Sequence, residues 1–213
     1  VTRKTSTIIE SEVKVESIQM DKKRKVGILG GTFNPPHLGH LIIADQVKDQ
    51  LGLEKILFLP AANPPHAKGK RTIAAEHRIE MVNKAIEAEP EFELELAEIN
   101  RGGKSYTYDT MKALTEKNPD VEYYFIIGAD MVEDLPSWYR VEELLQMVQF
   151  VAVNRPAYSV ATPFPLIFID VPNIEISSSV IRQKVADQCS IQYLLPNKVI
   201  EYIEEKGLYQ DEG

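Results

Sequence analysis

Apolar and polar positions come in alternating blocks along the chain. Six short runs have the length and composition of strands: KVGILG (25–30), KILFLP (55–60), FELELAEI (92–99), VEYYFIIG (121–128), VQFVAVN (148–154) and LIFID (166–170). Between them lie helical candidates: HLGHLIIADQVKDQLG (37–52) stopped by Gly52, AAEHRIEMVNKAIEAEP (74–90) halted by Pro90, and TYDTMKALTEKNP (107–119) halted by Pro119. Strand–helix alternation predicts a parallel sheet covered on both faces. Right-handed crossovers then make it an α/β protein with a doubly wound, mainly parallel sheet. Residues 1–20 are polar and weakly patterned, and are expected to form a leader outside the domain, with residues 21–213 a single domain.

Composition narrows the function classes. With 213 residues, 44% of them hydrophobic, the chain can bury one substantial core. A formal charge of -8 argues against a general nucleic-acid binder, because no broad cationic field is available to neutralise phosphates. The single cysteine, Cys189, excludes an internal disulfide and a multi-cysteine zinc site, which fits a reducing, cytoplasmic setting. No apolar run approaches the roughly 18 residues that span a bilayer, so no membrane partner is expected. A homo-oligomer is admitted but not required.

In a doubly wound fold, ligands bind at the carboxyl ends of the strands. The first strand leads into GGTFNPPHLGH (30–40). Adjacent glycines permit close backbone approach, and a helix start just beyond them offers N–H groups to an anion. This is neither the G-x-G-x-x-G dinucleotide fingerprint nor a P-loop, and the second strand ends in LFLPAANPP without a carboxylate for a ribose. His37 and His40, three apart at the helix start, share one face beside the positive end of the helix dipole. Each also has a plainer reading, His37 as a turn cap and His40 as packing beneath the sheet. Ser177 or Ser178 is a natural helix N-cap, with Arg182 one turn further on.

The stretch GGTFNPPHLGH resembles the nucleotidyltransferase signature with its H-x-G-H element. Further segments resemble the bacterial nicotinate-mononucleotide adenylyltransferases: PPH (64–66), SYTYDT (105–110), FIIGAD (125–130), LPSWY (135–139), ISSSVIR (176–182) and a closing EKGLY (205–209). The likeness runs from Lys25 to about Tyr209. It implies a Rossmann-like nucleotidyltransferase fold and transfer of AMP from ATP to nicotinate mononucleotide, giving deamido-NAD and pyrophosphate. His37 and His40 are then the catalytic donors to the phosphates. The ATP contacts it implies are Gly30, Gly31, Thr32, Phe33 and Gly39 after the first strand, Gly128 and Asp130 after the fourth, Arg155, and Ile176, Ser177, Ser178 and Arg182. Asn34, Thr107, Trp138 and Tyr139 are implied for the mononucleotide, with Trp138 stacking on the pyridine ring and the helix start at Thr107 receiving its carboxylate.

Magnesium is implied as an ion carried on the ATP phosphates, with no protein metal ligand set. Two departures from the family pattern stand out: Ala67 intervenes before Lys68 after PPH, and Ala157 replaces an expected glycine near Arg155. Another adenylyl- or cytidylyltransferase of the same superfamily, and a noncatalytic nucleotide-binding sensor, are the alternatives.

Overall fold

Each apolar run becomes a strand whose successive side chains pack on opposite faces of one sheet. The computed structural model describes residues 23–63, 72–154, 162–172 and 174–210. Its strands are β1 (Arg24–Gly31), β2 (Lys55–Pro60), β3 (Phe92–Leu94), β4 (Val121–Gly128), β5 (Gln149–Asn154) and β6 (Leu166–Asp170). The helices are α1 (Leu38–Leu51), α2 (Ala75–Ile86), α3 (Ala97–Arg101), α4 (Thr107–Lys117), α5 (Val141–Met147), α6 (Ser178–Ala186) and α7 (Asn197–Lys206). All six strands pair in parallel in the order β3-β2-β1-β4-β5-β6. The order reverses between β1 and β4, which makes the crevice above their carboxyl ends the topological switch point.

The period-2 geometry of a strand sorts the core. Leu29, Phe58, Ile126 and Val151 face α1, α2, α6 and α7, meeting Ala44, Val47, Met81, Ile181 and Val199. Ile28, Leu57, Phe125 and Phe150 face α4 and α5, meeting Met111, Leu114 and Leu144. Burying each such side chain contributes about 1.5–3 kcal/mol. Both faces being covered explains why the strands read as continuous apolar runs. Gly52 ends α1 in the left-handed conformation (φ 59°, ψ 46°), as a stop signal there requires.

The third strand is shorter than its sequence pattern. FELELAEI suggests eight residues, but pairing ends at Leu94, and Ala97–Arg101 turns into α3 with Glu98 buried beneath it. β3 is an edge strand with only β2 beside it, and at the next ladder position β2 has Pro60, which lacks an N–H, while the Ala97 N–H turns to Glu95 Oε1 (2.8 Å). α7 carries its apolar residues Val199, Ile200, Tyr202 and Ile203 against the α2 side of the core. No helix among the described residues is long and apolar enough to cross a membrane. The expected leader, residues 1–20, lies outside the described residues.

Candidate active site

Beyond β1 the chain forms the loop Thr32–Pro36, and His37 caps α1 in an extended conformation (φ -142°, ψ 169°). The His37 N–H donates to His40 Nδ1 (3.1 Å), and the His40 N–H donates to the His37 carbonyl (2.9 Å). The two imidazoles stack with centroids 3.7 Å apart and planes at 29°. Because Nδ1 of His40 accepts, its neutral tautomer carries the proton on Nε2, leaving that group as a donor. Burial pushes the His40 pKa well below the usual histidine value, and the neighbouring His37 adds repulsion. Phe33, buried with φ 50°, places its ring edge-on to His40 at 5.0 Å.

Gly39 has a spatial reason to be glycine. A Cβ there would lie 3.0 Å from His37 Nδ1 and 3.1 Å from Cε1, with Ile176 Cβ 4.0 Å away. The H-x-G-H spacing therefore lets the first imidazole fold back over the first turn of α1 and stack on the second.

Segment 176–182 braces this loop. Ser177 caps α6 by accepting the Val180 N–H (3.3 Å), Ser178 Oγ donates to the Pro35 carbonyl (2.8 Å), and Arg182 Nη1 donates to the Asn34 carbonyl (3.0 Å). Tyr209 Oη donates to Asn34 Oδ1 (2.9 Å), so the Asn34 side chain is bound inward rather than turned wholly to the cleft. Main-chain N–H groups in the first turn of a helix have no intrahelical acceptor, which leaves the start of α6 suited to an anion even with both serine hydroxyls committed. Phe33 is likewise committed to the core through its side chain, so only its main chain can meet a ligand.

Across the switch point, β4 ends at Gly128, followed by a 3₁₀ turn at Ala129–Met131. The exposed Asp130 carboxylate folds over Gly128, where a Cβ would collide with it. Gly30 and Gly31 end the neighbouring strand. A second 3₁₀ turn, Leu135–Ser137, delivers Trp138 and Tyr139. Trp138 is part-buried, edge-on to Phe125 (6.1 Å) and Phe150 (6.0 Å), and its buried Nε1 has no partner among the described residues. Tyr139 is half-exposed, with its ring 4.8 Å from Tyr106 and 5.9 Å from Tyr108. This contact brings the start of α4, where Thr107 is the first helical residue, alongside the Trp138–Tyr139 turn.

The residues named from sequence thus fall into two neighbouring groups, one around His37, His40 and the start of α6, the other around Thr107 and Tyr139. Arg155, Lys68 and the PPH segment lie outside the described residues. Among the described residues no group of three or more His, Cys, Asp or Glu side chains is arranged to hold a metal ion.

Three further residues shape the site without having been singled out from sequence. Tyr209 anchors Asn34, Ser105 anchors the chain beyond β2, and Arg78 donates to the carbonyls of Thr32 (2.9 Å) and Ala61 (2.8 Å). Burial lowers the Arg78 pKa, with nearby Tyr209 and Glu76 acting in the opposite direction. Arg78 did carry a signal: it shares the helical apolar stripe of Met81, Val82 and Ala85, where a charge is out of place. His77, which sequence leaves unassigned, bonds Tyr202 Oη through Nδ1 (2.9 Å).

The sequence model of the cytidylyltransferase-like family matches residues 28–184. A relative from Enterococcus faecalis, named "Probable nicotinate-nucleotide adenylyltransferase", is 55% identical over 197 residues, covering 92% of this chain and 90% of the relative. One of the same name from Lactiplantibacillus plantarum is 54% identical over 200 residues, covering 94% and 95%. Among solved structures, Plasmodium falciparum nicotinic acid mononucleotide adenylyltransferase complexed with NaAD superposes with a TM-score of 0.74 at 23% identity, covering 87% of this chain and 97% of that one. The same enzyme complexed with APC gives 0.73, with the same identity and coverage. At that identity these structures speak to the fold alone.

Proposed function

Because the chain belongs to the cytidylyltransferase-like family and, within it, to the nicotinate-nucleotide adenylyltransferases, we infer that its switch-point cleft passes AMP from ATP to nicotinate mononucleotide. The products are nicotinate adenine dinucleotide and pyrophosphate, a step of NAD biosynthesis. The observation that carries the site assignment is the stacked His37–His40 pair at the start of α1, above the carboxyl ends of β1 and β4.

A phosphate oxygen of the mononucleotide bonds to the α-phosphorus of ATP. The bond from that phosphorus to the bridging oxygen breaks, and pyrophosphate leaves with the electron pair. The substrate supplies its own nucleophile, so positioning and charge stabilisation are what the protein adds. Neutral His40 offers Nε2–H to the transferring phosphate, and its Nδ1 is held by the His37 N–H. The start of α6 and Arg182 lie beside the same loop and suit the polyphosphate. Gly30, Gly31, Thr32, Gly39, Gly128, Asp130 and Ile176 line the ATP side, to which Arg155 is also assigned. The mononucleotide takes the Thr107, Trp138 and Tyr139 side, where first-turn N–H groups of α4 receive the nicotinate carboxylate.

Imidazole, main-chain N–H and guanidinium donors suit an anion better than a bare cation, which fits a magnesium ion held by phosphate oxygens and water. Bound in that way, the ion would neutralise charge on the leaving pyrophosphate.

The test compares nicotinate with nicotinamide mononucleotide, measuring pyrophosphate release and dinucleotide formation. Donors facing a carboxylate leave an amide NH2 without an acceptor, and a site that discriminates by unpaired buried groups does so strongly. The expected preference for the nicotinate form is about 10²-fold or more in kcat/KM. Equal values for the two would overturn the pocket assignment.

A further inference from the structure

Ala61, Ala62 and Asn63 form a short strap leaving β2, and it is tied from both sides. On one side, the Ala61 N–H donates to the Gly31 carbonyl (2.9 Å), while Arg78 Nη1 donates to the carbonyls of both Ala61 and Thr32. On the other, Ser105 Oγ accepts the N–H groups of Ala62 (2.9 Å) and Asn63 (3.2 Å). The Ser105 N–H donates to the Asn63 carbonyl (3.1 Å), and Asn63 Nδ2 donates to the Gly103 carbonyl (3.2 Å). Arg78 and Ser105 are both buried. Thr32 adjoins the histidine loop, and Ser105 precedes Thr107 by two residues.

Burying a guanidinium is costly without a charge partner. Arg78 has no ion-pair partner among the described residues, and its Nε is buried without a hydrogen bond. Its polar work is on main-chain carbonyls of two loops that leave adjacent strands. Ser105 does the complementary work with one oxygen shared by two N–H groups. The polar path from Thr32 through Arg78, the strap and Ser105 therefore runs from one side of the cleft to the other.

We propose that Arg78 and Ser105 are positioning residues that set the ATP side of the cleft in register with the mononucleotide side through the Ala61–Asn63 strap. The proposal rests on the adenylyl-transfer reading above. Both are buried and commit their polar groups to main chain, Arg78 to Thr32 and Ala61, Ser105 to Ala62 and Asn63. In-line transfer needs the attacking oxygen and the α-phosphorus in fixed register, and a misplacement of about 1 Å can cost about 10²-fold in rate.

The experiment measures kcat, KM for both substrates, and the folded fraction by circular dichroism for full-length Arg78→Lys, Ser105→Ala and the double variant. Each single variant is expected to lower kcat per folded enzyme about 10-fold or more, with KM for ATP changed less than about 3-fold. The double variant is expected to lose no more than the worse single one, because both act through one strap. Losses that multiply in the double variant, or an undiminished kcat for Ser105→Ala, would overturn the proposal. Should Arg78→Lys fail to fold, Ser105→Thr decides it. Retaining the oxygen, it is expected to return kcat to within about 3-fold of the unsubstituted chain, and a folded Ser105→Thr as slow as Ser105→Ala would refute the role. Absence of pyrophosphate release from the unsubstituted chain would instead overturn the reading on which the proposal rests.

Discussion

Gly39→Ala separates the stability of the fold from the geometry of the histidine pair. The added methyl would stand 3.0 Å from His37 Nδ1 and 3.1 Å from Cε1, where ordinary contact begins at 3.4 Å. The His37 ring must give by a few tenths of an ångström, and it is buried and stacked on His40 at 3.7 Å. Two effects on stability oppose each other. Alanine in a helix is favoured over glycine by up to about 1 kcal/mol. Overpacking costs about 1–3 kcal/mol. The net is expected within about 2 kcal/mol, a Tm change of no more than about 8 °C for a chain of this size.

Catalysis has no such offset if His40 is the donor, because the displaced His37 ring is the one stacked on it. We expect kcat to fall about 10-fold or more, approaching the 10²-fold scale of an ångström misplacement. Thermal melting and continuous pyrophosphate release at saturating substrates, on the same preparation, give both numbers. A variant with Tm in the expected range and kcat within about 2-fold of the unsubstituted chain would refute the claim that the glycine exists to admit the His37 ring.

Two further outcomes follow from the same geometry. The unfolded chain takes up a proton at His40 as pH falls through about 6.5, but folded His40 does so only at lower pH. Its contribution is therefore full above that pH and is lost as pH drops toward the folded value, so Tm of the nucleotide-free protein should fall between pH 7.5 and 5.5. The fall should be shallower in His40→Asn, whose amide oxygen can stand in for Nδ1, and an unchanged slope would mean another group titrates. Trp138→Ala should cost about 2–4 kcal/mol from lost packing on Phe125 and Phe150 and should raise KM for the mononucleotide well beyond KM for ATP. Equal rises in the two would leave Trp138 a packing residue only.

Much of the fold and part of the site were legible in the sequence because they are encoded locally. All six strands were readable, since continuous apolar runs bounded by turn residues are what a two-sided parallel sheet requires. The starts of α1, α4 and α6 were readable from His37, Thr107 and Ser177. The early end of β3 was not, because Leu94 and Leu96 continue the alternation, whereas the ladder stops where β2 offers Pro60, which has no N–H to donate. Tyr209 bonds a residue 175 positions away, and Ser105 bonds the strap 43 positions away. Such partners follow from the topology and leave no mark in a local pattern. The commitment of Phe33 to the core and of Ser178 to Pro35 was hidden for the same reason: motif position gives a residue's neighbourhood but not which of its atoms remain for a ligand.

The most direct test of the account is the turnover of His40→Ala with ATP and nicotinate mononucleotide, measured beside ATP affinity by calorimetry. If the His40 imidazole donates to the transferring phosphate, kcat should fall about 10²-fold or more, the scale of a lost transition-state donor. ATP should still bind measurably, through the loop glycines, the start of α6 and Arg182. A folded His40→Ala that turns over at the unsubstituted rate would contradict the assignment of this histidine pair as the site of adenylyl transfer.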